Sequence, residues 1–287
     1  MASVNPNDLK NLVRTQGGAL GLDDASSAII IQNMNAGTLP MCGGSPFTDD
    51  EDQTDDFRII KLGFDASSSM QPVANDVIDS VNTIVIPGLL GGAADQVGAI
   101  RIGGLRFNSR VTPIWKGGEG GGFHPLRALP QLTKAEYTPQ GATALHQGVL
   151  DMVTAATTYA LTIRQRTGSN PETVLALWTD GANNCAPFDP EDVRKVLSAL
   201  SPELFTTVFI GFETGERVNF RDIALSMGFR DIVDSKPVPG ETPEQMRQRF
   251  RHLMRVFSQS LVNRTSKSQV GQSVSAAPGA GTGFWTP

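Results

Sequence analysis

Apolar positions along the chain keep to two periods, and the switches between them mark the elements. RIIKLGF, starting at Arg58, is a compact apolar run ending at Asp65 and predicts a buried strand. Beyond it Val73, Val77, Val81 and Ile84 recur close to every 3.6 residues, which predicts a helix over 72–84 with Ser69 and Pro72 at its entrance. A strand is predicted over 97–107, interrupted by Gly103 and Gly104, and a short one over 111–115 folded back across Asn108 and Ser109. Residues 144–166 have the length and period of a helix. TVLALW, 173–178, is the most convincing buried strand and runs straight into Thr179-Asp180-Gly181. A helix over 190–200 capped by Asp189, a strand over 204–212, a helix over 220–227, a strand over 229–233 and a helix from Pro243 to about Val262 complete the pattern. Apolar strands alternating with helices predict a three-layer α/β domain around a mostly parallel sheet, over 57–262.

The flanks read differently. Residues 1–56 form an extension with two short elements, over 5–13 and 26–34, before GTLPMCGGSPF breaks any regular pattern. Asp49, Asp50, Glu51, Asp52, Asp55 and Asp56 then make a dense acidic run, which reads as a solvated linker or as a docking tail for a basic surface. GGEGGGFHP, 117–125, reads as a flexible surface loop. Residues 263–287 are polar, rich in Ser and Gly, and read as a flexible tail. Phe284 and Trp285 near its end are either an ornament or an anchor for a partner or a neighbouring subunit, the second giving a homo-oligomer through tails.

Charge narrows the partner class. Of 287 residues, 24 are Lys or Arg and 29 Asp or Glu, a net charge of −5, which argues against general nucleic-acid binding. Two cysteines, Cys42 and Cys185, exclude a disulfide scaffold and a structural zinc cluster. The first residues lack the basic head and apolar core of a secretory signal, and no apolar run approaches the ~20 residues of a membrane span. Cytoplasmic residence with free thiols is the expectation.

Three polar loops carry the chemistry. Asp65, Ser67 and Ser69 stand at i, i+2 and i+4 just beyond the first strand; Thr143 precedes a helix; Asp180 follows the best strand. Loops at the carboxyl ends of parallel strands converge on one sheet edge, where open α/β sheets bind ligands. Two carboxylates and three hydroxyls make an all-oxygen donor set, suited to a hard cation, Mg²⁺ or Mn²⁺. Two carboxylates at most neutralise such an ion, so its open position favours an anionic oxygen from outside, an Asp or Glu of a protein partner.

DASSSM after a strand, the Thr143 loop, and TDG after LALW resemble the metal-ion-dependent adhesion site of a von Willebrand factor A domain, in the family's order. The resemblance covers 57–262 and implies a doubly wound sheet with one short antiparallel edge strand, 111–115. It also implies that Asp65, Ser67 and Ser69 form the first metal loop, Thr143 the second and Asp180 the third. Gln140-Gly141-Ala142 precedes Thr143 where family members often carry a Gly-Gly pair. LRFNSRVTPIW and LTKAEYTPQGATALHQGVLDM are similar to stand-alone bacterial members associated with tellurite resistance and stress response.

Two other readings compete. A metal-dependent hydrolase needs a nucleophile or general base beside the ion. His146 and Cys185 lie near the loops but read as a packing residue and an inert thiol, and His124 and His252 are scattered. No Gly-x-Ser-x-Gly, Walker or His-Glu-x-x-His motif occurs, so no enzyme is expected. Alternatively the metal only staples loops and the tails make the contacts. In the last helix Met246, Phe250, Leu253, Met254, Phe257 and Leu261 trace an apolar face. Arg247, Arg249, Arg251 and Arg255 crowd the rest, a basic face expected to accept the acidic run.

Overall fold

The computed structural model describes residues 5–45, 56–92, 99–115, 122–185, 189–214, 218–265 and 284–285. Seven strands form one sheet: β1 (Arg58–Asp65), β2 (Ile100–Phe107), β3 (Val111–Ile114), β4 (His124–Pro125), β5 (Glu172–Thr179), β6 (Phe205–Phe212) and β7 (Asp231–Ser235). Their order is β3-β2-β1-β5-β6-β7, with β4 pairing beside β2. β2, β1, β5, β6 and β7 are parallel, while β3 and β4 run antiparallel to β2. The chain winds outward from β1 in one direction, then crosses to β5 and winds outward in the other. This is the doubly wound arrangement expected, with its switch point between β1 and β5.

Every residue of β1 is buried, as a central strand covered on both faces requires. One face of the sheet carries α5 (Leu145–Thr167), flanked by α1 (Pro6–Gln16), α2 (Asp24–Asn33), α6 (Pro190–Ala199) and α7 (Phe220–Met227). Gly63 in β1 lets α5 approach: a Cβ there would stand 2.9 Å from Leu177 and 3.3 Å from the Met152 sulfur. The other face carries α8 (Pro243–Thr265) and one helical run, Ser68–Gly92, built of a 3₁₀ turn, α3 (Ala74–Ser80), a π segment and α4 (Ile86–Gly92).

Several expectations are corrected. The first helix of the domain runs past residue 84 to Gly92, because Val85, Ile86 and Leu89 continue its buried stripe beside α8. That run is long and apolar enough to cross a membrane by length and composition. Val73, Val77, Val81, Val85 and Leu89 are nevertheless buried against the sheet, the pattern of a core helix. The N-terminal extension packs as part of the fold: Leu9, Leu12 and Val13 of α1 and Ile30 of α2 share the core of α5. His124 lies in a strand pairing Ile102, not in a surface loop, and its Nε2 bonds the Trp115 carbonyl at 2.8 Å.

The remaining correction concerns the aromatic pair near the end of the chain. Phe284 is only 3% exposed, its ring 5.8 Å from that of Phe257 in α8, and Trp285 packs on Phe257 as well. The aromatic pair is therefore seated on its own chain instead of being presented to a partner. On α8, Arg247 pairs with Glu244, Arg249 with Glu241 and Arg251 with Asp76, so three of the arginines expected to receive the acidic run already hold carboxylates. Of that run only Asp56 is among the described residues, and the Gly-rich loop to 121 and the tail over 266–283 also lie outside them.

Candidate metal centre

Asp65 is the last residue of β1 and Asp180 the first beyond β5, and these strands are neighbours in register, Phe64 opposite Trp178. Both carboxylates thus stand at the switch point, on the edge where the crevice of a doubly wound sheet opens. Beneath them the Phe64 and Trp178 rings stack at 4.9 Å and give the two loops a common apolar floor.

The three loops are stitched to one another in pairs. The Ser69 hydroxyl donates to Asp180 Oδ1 at 2.8 Å and lies 3.0 Å from the Ser67 hydroxyl, joining the first loop to the third. The Ser67 N–H donates to Asp65 Oδ1 at 2.8 Å, and the Thr179 hydroxyl donates to Asp65 Oδ2 at 2.6 Å. First and second loops are tied by backbone bonds, Ser68 N–H to the Gly141 carbonyl at 3.0 Å and Gln140 N–H to the Ala66 carbonyl at 2.8 Å. Gly141 holds φ +77°, a left-handed turn that a glycine makes at little cost. Second and third loops meet at Thr143, whose N–H donates to Asn184 Oδ1 at 2.6 Å and whose carbonyl accepts from the Asn184 N–H at 3.0 Å. The Thr143 hydroxyl lies over Gly181, 3.7 Å from where a Cβ on that glycine would stand. All five predicted donors therefore belong to one cluster of loops.

Sequence reasoning missed four supports. Thr179 holds Oδ2 of Asp65, and Thr214, one residue beyond Glu213 at the end of β6, donates to Asp180 Oδ2 at 2.7 Å. Asn184 clamps Thr143, and the buried Tyr137 hydroxyl donates to the Asp65 carbonyl at 2.6 Å. The order of the parallel strands supplied the one available signal, since it puts the loop after β6 beside the loop after β5. His146 and Cys185 flank the cluster: the His146 N–H faces Asn183 Oδ1 at 3.4 Å, and Cys185 is a half-buried free thiol. Phe284 and Trp285 lie away from it, on α8.

The electrostatics are those of an uncompensated acidic pocket. Burial, with the neighbouring Asp180 charge, raises the Asp65 carboxyl to about 7 against the lowering pull of the Thr179 and Ser67 bonds. Burial also raises Asp180, opposed by the Thr214 and Ser69 hydroxyls. Burial first, then both carboxylates, pushes the Tyr137 phenol well up. Among the described residues no Lys or Arg pairs with either carboxylate. Nor do those residues contain a group of three or more His, Cys, Asp and Glu suited to a metal. The donor set fits a hard divalent cation, with carboxylate and hydroxyl oxygens and no nitrogen or sulfur.

No protein-family model matches the chain, and no curated protein matches it in sequence. Solved structures do. A mutant of the PilB minor pilin from Streptococcus sanguinis is 14% identical at a TM-score of 0.45, over 75% of this chain and 64% of the pilin. A von Willebrand factor type A protein from Catenulispora acidiphila is 16% identical at 0.40, over 70% of this chain and 42% of its own. Manganese-loaded TRAP protein from Plasmodium vivax is 22% identical at 0.39, over 63% of this chain and 69% of its own. The chain thus spans less than two thirds of the length of the first two.

Proposed function

We propose that this chain is a divalent-cation-dependent protein-interaction module of the von Willebrand factor A type. Asp65, Ser67, Ser69, Thr143 and Asp180 would hold Mg²⁺ or Mn²⁺ directly or through water, and an Asp or Glu of a protein partner would complete the shell. The cation supplies an electrophilic centre that the chain's own two carboxylates at most neutralise. The observation that carries the reading is the meeting of two buried carboxylates, paired with no Lys or Arg among the described residues, with three hydroxyls at the switch-point edge. Burying two like charges without a counter-charge is costly, and a site that keeps them is matched to a cation.

The chain's residues have separable tasks. Thr179 and Thr214 would orient the ligands by holding Oδ2 of Asp65 and of Asp180, and Asn184 by holding the Thr143 N–H. Backbone bonds from Ser68 to Gly141 and from Gln140 to Ala66, with the Asn184 clamp on Thr143, join the loops without using a ligand oxygen, which favours recognition over a purely structural role. The reading is of a non-enzymatic cytoplasmic module. Kinship with the tellurite-resistance-associated proteins belongs to it as the narrower proposal.

Capture from lysate on immobilised wild type and Asp65→Ala, each in Mg²⁺ and in chelator, tests it. The expected result is a band present only for wild type in Mg²⁺. Equal capture in all four arms would sink the adhesion reading in favour of the structural one.

A further inference from the structure

Phe257 of α8 touches the sheet and the tail at once. Trp178 of β5 meets its ring edge-on at 4.4 Å, while the rings of Phe284 and Trp285 lie at 5.8 and 6.4 Å. At the same corner the Phe284 N–H faces the carboxylate of Asp231, the first residue of β7. We infer that this corner of α8 and β7 is a docking site for a peptide that carries Phe followed by Trp. The chain's own tail occupies it in cis, and a protein partner presenting the same pair takes it in trans. Neither Phe257 nor Asp231 is among the proposed metal ligands, so the assignment stands apart from the cation reading.

Connectivity does not impose the contact. Phe257 and Thr265 share one helix and stand about 12 Å apart along it, a span that about four extended residues cover. The sequence supplies 18, residues 266–283, of which 8 are Ser or Gly. The rings therefore hold the pair in place, not the length of chain before it. The floor is tied to the sheet: Trp178 also stacks on Phe64 at 4.9 Å, and Phe257 belongs with both to the core of that face. A pre-ordered floor loses little entropy when a peptide docks, and large aromatics are efficient anchors once buried. Recognition has two points. Phe257 takes the rings, and Asp231 takes a backbone N–H, which sets the register and seats the first aromatic deepest. Trp285 Nε1, in contrast, is buried with no acceptor among the described residues, so the chain's own pair is an imperfect fit. A resident with one donor unpaired, held at the roughly millimolar effective concentration of a tether, yields to a partner that binds more tightly.

The test uses the full chain in two forms, wild type and Phe284→Ala/Trp285→Ala, titrated into labelled Gly-Thr-Gly-Phe-Trp-Thr-Pro, the sequence of residues 281–287. The double variant is expected to bind this peptide saturably, and wild type about tenfold more weakly or worse, because its own pair competes. The same peptide with both aromatics replaced by Ala should bind neither form. A library with those two positions random, selected on the double variant, should return Phe at the first and an aromatic at the second. Equal binding by the two forms, no saturable binding up to about 1 mM, or selection of aliphatic pairs overturns the assignment. A concentration-dependent wild-type dimer that the double variant loses would make a second copy's tail the occupant and overturn the partner reading. Melting curves establish that the double variant is folded. If it is not, Trp285→Ala replaces it and keeps Phe284 on Phe257; it should bind the peptide more tightly than wild type, and equal affinity overturns the assignment in the same way.

Discussion

Asn184 grips Thr143 by both backbone groups, accepting from its N–H at 2.6 Å and donating to its carbonyl at 3.0 Å. Only the first of these bonds uses the side chain. Asn184→Ala should therefore misplace the Thr143 loop without removing any ligand oxygen, at a cost of about 1 kcal/mol, or roughly fivefold in cation affinity. Calorimetric titration with Mg²⁺ measures this directly, and a variant that binds as tightly as wild type would show that the clamp is idle.

Asp65→Asn should have opposite effects with and without the cation. The Asp65 carboxylate is fully buried beside Asp180 with no cationic partner among the described residues, and an amide of the same shape removes a charge from that environment. The variant is expected to melt no lower than wild type in chelator, yet to lose the rise in midpoint that saturating Mg²⁺ gives wild type. At a hundredfold excess over the dissociation constant that rise corresponds to about 2.7 kcal/mol. A large loss of stability in chelator would mean that the carboxylate itself is structural.

Lys61 is wholly buried in β1, its ammonium 4.6 Å from the Phe123 ring, and burial lowers its pKa from 10.5 to about 8, against the raising influence of Cys42 and Asp151. Between those values the folded chain binds fewer protons than the unfolded one, so this group makes stability rise with pH from about 8 upward. Below 8 its cost is constant. Cys42, raised by burial from 9.0 to about 12, acts in the opposite sense above 9, since there the folded state holds the extra proton. Lys61→Met should thus stabilise the protein at pH 7, by up to roughly 3 kcal/mol, and the gain should shrink as pH approaches 10. Denaturant midpoints of both proteins across that range decide it; a gain independent of pH would assign the effect to packing.

The Phe284–Trp285 pair predicts a stabilising tail. Its rings meet at 5.1 Å, both lie on Phe257, and the Phe284 N–H faces the Asp231 carboxylate. Phe284→Ala is expected to cost about 2 kcal/mol and to leave the oligomeric state unchanged. Light scattering beside a melting curve separates this from the anchor-to-a-neighbour expectation, which requires the opposite pattern.

The strands and the order of the metal loops were legible because each depends on local residue pattern. RIIKLGF and TVLALW are too apolar for anything but a covered strand, and Asp65 and Asp180 follow them directly. What was not legible depends on contacts across the chain. Nothing around Thr214 distinguishes it from any threonine past a strand; it matters because β6 lies beside β5. The apolar residues Ala28–Ile31 run consecutively and show no helical period, which hid the face by which α2 joins the core through Ile30. Phe284 reads as exposed in a Gly-rich tail until α8 is seen beneath it.

The bonds that hold the centre together join residues distant in sequence, 111 positions for Ser69 and Asp180 and 114 for Thr179 and Asp65. A growing chain that has emerged only as far as α5 carries both serines and the threonine of the first two loops, and still has no place for an ion. On the proposed reading, neither half of the protein, separated between β3 and α5, would hold the full donor set. Cation binding would then certify that synthesis has passed residue 214 and that the sheet has closed around its middle strands.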